Sequence, residues 1–189
     1  IPCRNEEKYI SFCLNSILDS DYPKDKIEIL IIDGQSSDRT RDIINSFIED
    51  YTFIKIFENP ERIVPVAMNT GIKESKGDYI IRLDAHSSYP KNYISQLIYW
   101  SQKLEADNVG AVCKTKVLSK TKVSESIKLV LSNKFGVGNG YFRTGVDEPK
   151  EVDTVPFGCY RKDVFEKVGQ YNKLLIRNQD IELNSRIRA

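Results

Sequence analysis

The sequence predicts an α/β protein built on a mostly parallel sheet. Two kinds of segment lead there. Short apolar runs rich in β-branched residues, at 27–33 and 79–84, have the length of buried strands. Beside them in sequence lie stretches with apolar residues at helical spacing, such as Ile10, Cys13, Leu14 and Ile17 before the first run. The two kinds alternate along the first half of the chain, the pattern of strand–helix–strand units with helices on the faces of a sheet.

Taken in order, residues 6–20 read as a helix stopped by Tyr22-Pro23, and 27–33 as a strand. Asp38 can cap the next helix, 39–50, whose inner stripe is Ile43, Ile44, Phe47 and Ile48. Residues 53–58 form a second strand and 65–75 a short helix ended by Lys76-Gly77. Residues 79–84 form the third strand. Pro90 opens a helix running to about 105, and 109–118 is a further strand. Beyond that the pattern loosens. Residues 124–132 look helical, and 135–145 hold four glycines and three aromatics without a period, as in a loop with special backbone needs or ligand contacts. A strand at 152–160, a helix at 162–168, a loop at 169–177 and a final helix from 180 complete the reading.

At 189 residues the chain has room for one domain with a full core. Twenty-eight basic residues against 27 acidic ones leave a net charge of +1, so nothing marks a nucleic-acid binder. Cys3, Cys13, Cys113 and Cys159 are scattered without a C-x-x-C pair and read as free thiols in a reducing compartment. No apolar run has the length of a membrane span, and there is no signal peptide. The chain opens on Ile1-Pro2 and closes within a helical stretch, so the expectation is a piece of a longer protein, truncated at both ends.

Polar clusters fall where strands end and helices begin. They are Pro2-Cys3-Arg4-Asn5-Glu6-Glu7, Asp33-Gly34-Gln35-Ser36-Ser37-Asp38 and Asp84-Ala85-His86. In a parallel sheet the strand carboxyl ends share one edge, where such clusters can converge on a ligand. Asp33 is placed to accept hydrogen bonds from a base or ribose, while Asp38 reads as a helix cap. If Asp84 and His86 end a strand, they share a face, and a carboxylate beside an imidazole suits a divalent metal that also holds phosphate. The spacing leaves equal room for a capping Asp84 and a turn-forming His86. Neither G-x-G-x-x-G nor G-x-x-x-x-G-K-[ST] is present, which argues against a Rossmann dehydrogenase. A fourth cluster, Arg177-Asn178-Gln179-Asp180-Ile181-Glu182, opens the last helix. Its carboxylates suit either a helix start or a base that deprotonates a hydroxyl.

Jointly these motifs resemble the family-2 inverting glycosyltransferases of the GT-A fold, in order and interval over nearly all of the chain. Pro2-Cys3-Arg4-Asn5-Glu6-Glu7 looks like the family's P-x-[YR]-N-E. The run Ile31-Ile32-Asp33-Gly34-Gln35-Ser36-Ser37-Asp38-Arg39-Thr40 looks like V-V-D-D-G-S-x-D-x-T. Asn69-Thr70-Gly71 followed by Gly77-Asp78-Tyr79-Ile80 looks like its N-x-G and G-[DE]-[YF]-[IL] pair. Asp84-Ala85-His86 sits where the family has D-x-D, and Gln179-Asp180 where it has E-D. Gly34, His86 and Gln179 are departures. Within the family, Arg82-Leu83-Asp84-Ala85-His86 and Val155-Pro156-Phe157-Gly158 look most like the bacterial exopolysaccharide branch of succinoglycan glucosyltransferases.

The resemblance implies transfer of a hexose, glucose from UDP-glucose at branch level, with inversion. The acceptor would be a saccharide or a lipid-diphosphate-linked oligosaccharide. Asp180 would be the catalytic base. Pro2, Arg4, Glu6, Asp33, Asn69, Arg82 and Asp84 would bind the donor, and Asp84 and His86 a Mg2+ or Mn2+ ion. Phe157, Gly158, Gln179 and Glu182 would flank the sugar or acceptor, although Phe157 serves equally as a packed aromatic. Residues 1–118 would form a nucleotide-sugar-binding half and 119–189 an acceptor half of a single domain. The parent would work at the cytoplasmic face of a membrane and would be anchored there. Two alternatives are a non-catalytic sugar-nucleotide or saccharide-binding module and a nucleotidyltransferase. The latter would want a glycine-rich basic loop where residues 33–39 hold a single glycine.

Overall fold

The computed structural model describes residues 1–117, 121–138 and 140–189. Strand β1 (Pro2–Cys3) is followed by helix α1 (Ile10–Leu18), β2 (Ile29–Asp33), α2 (Thr40–Asp50), β3 (Ile54–Glu58) and α3 (Val64–Glu74). These strands form a parallel sheet in the order β1-β2-β3, with Cys3 opposite Asp33 and Asp33 opposite Glu58. Next come β4 (Tyr79–Ile81), α4 (Tyr93–Lys103), β5 (Asn108–Val109), α5 (Lys122–Leu131), α6 (Lys134–Val137), α7 (Tyr141–Thr144), β6 (Cys159–Arg161), α8 (Val164–Val168) and α9 (Gln179–Arg188). Here the sheet is antiparallel, in the order β4-β6-β5. The expected parallel character thus belongs to the first sheet alone.

Apolar periodicity explains the core. In α1 the residues Ile10, Cys13, Leu14 and Ile17 turn inward and meet Ile31, Ile44 and Ile54 from β2, α2 and β3. Burying each such side chain fully stabilises the fold by about 1.5–3 kcal/mol. A second cluster joins Met68 and Ile72 of α3 to Tyr160, Phe165, Tyr171 and Leu183. It fixes α9, which carries Asp180, against β4 and β6 of the second sheet. Among the described residues no backbone ladder joins the two sheets. An apolar cavity of about 570 Å³ lies between them, bordered by Ile29 and Ile32 on one side and Tyr79 and Ile81 on the other.

Several strands are shorter than their apolar runs. The third ends at Ile81, not at 84, and Ala85-His86 form a turn, so strand alternation does not align Asp84 with His86. The chain leaves the ladder after the Arg82 N–H donates to the Gly158 carbonyl, and the Tyr89 hydroxyl then takes the Asp84 N–H at 2.8 Å. Among the described residues the strand expected at 109–118 is confined to Asn108–Val109, because residues 111–117 find no ladder partner there; its end, Leu118, lies outside the described residues. The expected strand at 152–160 is confined to Cys159–Arg161, since Pro156 brings no N–H and Phe157 turns to φ 55°. Within the expected loop at 135–145 stand the short helices α6 and α7, with Asn139 outside the described residues. Among the described residues, no helix is long and apolar enough to cross a membrane.

Candidate active site

The carboxyl ends of β1, β2 and β3 and the turn after β4 surround a cleft of about 270 Å³. Pro2, Arg4 and Glu6 line it from the first cluster, and Arg82, Asp84 and His86 from the third. The loop after β3 closes it with Asn59 and Arg62. Reading motifs alone passed over these last two, although their place just beyond a strand end on the same sheet edge marks them. Arg62 is held at φ 59° while its guanidinium grips the Gln35 side-chain carbonyl. Asn59 donates to the Ile63 carbonyl at 2.9 Å.

Arg82 stands at the centre of the site. One terminal nitrogen meets both oxygens of Asp180 at 2.7 and 2.8 Å, and the other lies 3.9 Å from Asp84. Its guanidinium sits 5.1 Å from the centre of the Phe157 ring. The Tyr171 hydroxyl adds a third contact to Asp180 at 3.3 Å and itself touches the Tyr160 hydroxyl at 3.2 Å. Arg82, just past β4, and Tyr171 of the 169–177 loop therefore converge on the carboxylate that α9 carries, with Tyr160 of β6 behind Tyr171. Burial pushes the Asp84 carboxyl up, against the opposing pull of Arg82 and His86.

Two buried side-chain atoms bordering the cleft, Asn59 Oδ1 and Arg82 Nε, have no hydrogen-bond partner among the described residues. Orphaned buried polar atoms are costly and mark places where a ligand or water completes the set. For a metal, the structure gathers a short donor set. Asp84 is 20% exposed at its side chain, and His86 Nδ1 lies 3.1 Å from Glu6 Oε1, which leaves Nε2 free to ligate. No group of three or more His, Cys, Asp or Glu side chains gathers among the described residues. Two protein ligands fit Mg2+ or Mn2+ when substrate phosphates and water supply the rest, and do not make a closed cage.

Other expected residues are occupied elsewhere. Asp33 is fully buried and accepts from the Ser36 N–H and hydroxyl, with Arg41 at 3.4 Å, so it braces the 34–38 loop from behind the cleft. Asp38 accepts from the Thr40 N–H at 3.0 Å, a structural role, although the cap position itself falls on Arg39, whose side chain makes no cap bond. Asn69 is buried with its amide spent on Tyr171, donating to the carbonyl and accepting from the N–H, both at 2.9 Å. Gly158 packs so closely that a Cβ would overlap the Asn108 amide. Gln179 is buried beside Asp180, while Glu182 pairs with Arg186 at 2.7 Å.

Comparison with solved structures shows that the fold is the GT-A fold of glycosyltransferases. The Staphylococcus aureus TarS 1–349 structure in complex with UDP-GlcNAc matches with a TM-score of 0.72 at 18% identity, covering 98% of this chain and 51% of that one. A mannosyltransferase from Pyrobaculum calidifontis in complex with GDP-Man and Mn2+ matches with a TM-score of 0.71 at 18% identity, over 98% of this chain and 50% of that one. The family model described as glycosyl transferase family 2 matches residues 1–169, and the chain belongs to that family. It is 32% identical to a dolichyl N-acetyl-alpha-D-glucosaminyl phosphate 3-beta-D-2,3-diacetamido-2,3-dideoxy-beta-D-glucuronosyltransferase of Methanococcus voltae, over 97% of the chain and 59% of the relative. It is 29% identical to the succinoglycan biosynthesis protein ExoA of Rhizobium meliloti (strain 1021), over 99% of the chain and 56% of the relative. The chain thus spans little more than half the length of these relatives.

Proposed function

We propose that the chain transfers a hexose, glucose from UDP-glucose as the leading case, to a saccharide or a lipid-diphosphate-linked oligosaccharide by a single inverting displacement. It would do so as one domain, with residues 1–118 serving the donor and 119–189 the acceptor, at the cytoplasmic face of a membrane to which the parent is anchored. The boundary between these halves lies outside the described residues.

One observation carries this reading. Arg82 joins Asp84 at the rim of the cleft to Asp180 at the head of α9, where donor and acceptor chemistry must meet. Asp180 takes the proton of the acceptor hydroxyl. The freed oxygen pair forms the new bond at the anomeric carbon as the bond to the diphosphate oxygen breaks, and the diphosphate leaves with that electron pair. A carboxylate has about four lone-pair sites. Arg82 and Tyr171 engage three of them and fix the carboxylate's plane, and one remains for the hydroxyl. A Mg2+ or Mn2+ ion on Asp84 and His86 would neutralise charge on the departing diphosphate. Arg82 Nε donates to a diphosphate oxygen, and Asn59 Oδ1 accepts a nucleobase N–H. Pro2, Arg4 and Glu6 line the nucleoside side, and Phe157 flanks the sugar.

A nucleotide-sugar panel with manganese tests the donor, since selective binding to the folded form raises its melting temperature. Asp180→Asn is expected to abolish transfer while keeping that donor-induced shift. Full transfer by the variant removes Asp180 as the base.

A further inference from the structure

We propose that α5 and α6 form a docking surface for an anionic lipid bilayer. Helix α5 is amphipathic by sequence yet has no buried residue. Its stripe of Val123, Ile127 and Val130, at intervals of four and three, is 69%, 53% and 53% exposed, and Phe135 of α6 stands wholly in solvent. Isolated exposed apolar residues are ordinary, but an entire helix stripe continued by an aromatic is not.

Charge selects the occupant. Residues 114–143 carry seven basic side chains and one acidic one, although the whole chain has a net charge of only +1. The rest of the molecule is therefore net acidic. The basic residues are spaced through the segment, so no basic run appears in the sequence. Lys122, Lys128 and Lys134 accompany the apolar stripe and are themselves exposed, and the single acid, Glu125, lies 3.8 Å from Lys128. A short helix with lysines beside an apolar stripe lies in the plane of a bilayer interface, its stripe among the acyl chains and its lysines at anionic headgroups. An apolar protein partner would explain the stripe but not the excess of positive charge. The site goes beyond the proposed transfer reaction, and its test contains no turnover, so either reading can fail without the other.

The test is co-sedimentation of this chain with vesicles of phosphatidylcholine alone and of phosphatidylcholine with phosphatidylglycerol, at low and high salt. Binding is expected to the anionic vesicles and to weaken as salt rises. Each lysine contributes roughly a fivefold factor near such a surface, so the triple variant Lys122→Gln, Lys128→Gln, Lys134→Gln is expected to bind roughly a hundredfold more weakly. Ile127→Ser with Phe135→Ser is expected to lose about tenfold while keeping the salt dependence. All five positions are exposed, and unchanged melting temperatures verify that the variants fold. The proposal is overturned if the chain ignores anionic vesicles, if it binds both kinds equally, or if the lysine variant binds as the parent does.

Discussion

Replacing Arg82 by Met keeps much of the side-chain length and removes the guanidinium. The Arg82 side chain is 7% exposed and Asp180 17%, so water cannot readily replace what is lost. Removing one partner of a buried ion pair costs about 3–5 kcal/mol, because the other charge is left uncompensated. The residual exposure of Asp180 and its contact with the Tyr171 hydroxyl put the expected loss near the lower end, about 3 kcal/mol. Pairing Arg82→Met with Asp180→Leu removes both charges and should recover part of that loss, with a coupling energy of about 2 kcal/mol. Urea unfolding of the four species at pH 7 measures this through their midpoints, provided the slopes agree. Single losses below about 1 kcal/mol with no coupling would place the pair among solvent-screened surface bridges and refute its role as the fixed centre of the site.

Other expectations can be checked directly. Asn69→Ala should cost about 2–3 kcal/mol and speed amide exchange in residues 170–177, since both bonds to the Tyr171 backbone disappear; weakened donor binding with unchanged stability would return Asn69 to the donor. Gly158→Ala should lower stability by about 1–3 kcal/mol in a thermal melt, as the new Cβ meets the Asn108 amide. Glu6→Gln should weaken manganese-dependent UDP binding by about 10–100-fold in calorimetry, by releasing the His86 ring; no change would detach Glu6 from the metal. Burial pushes the Cys159 thiol up to about 12. Its folded form therefore keeps the proton after the unfolded thiol has lost it near pH 8.5. The contribution is complete below that pH and is lost by about 1.4 kcal/mol per unit as pH rises towards 12. At pH 8 a thiol reagent should label the half-buried Cys113 before Cys3, Cys13 and Cys159, as peptide mapping would reveal.

The helices α1 to α4 were legible because each has an apolar stripe at its own period, and β2 and β3 because their runs are bounded by turn residues. The site was legible as far as clusters at strand ends reach: Glu6, Arg82, Asp84 and His86 do meet at one cleft. Other features depend on partners distant in sequence. Asp33 and Asn69 look like ligand contacts until Ser36 and the Tyr171 backbone take up their polar atoms. Residues 111–117 have strand composition but no strand pairs with them among the described residues, and composition does not reveal that lack. Arg82 reads as the polar end of an apolar run, and its hold on Asp180, 98 residues away, emerges only when α9 packs beneath β4 and β6.

The gap between the sheets has a mechanical result. Pro2, Arg4 and Asn59 ride on the β1-β2-β3 assembly, whereas Arg82 precedes the turn that leaves β4 and takes its backbone bond from beside β6. The walls of the cleft hang from different hydrogen-bonded frames. Among the described residues, a shift of one wall relative to the other around a bound molecule would break no interstrand bond.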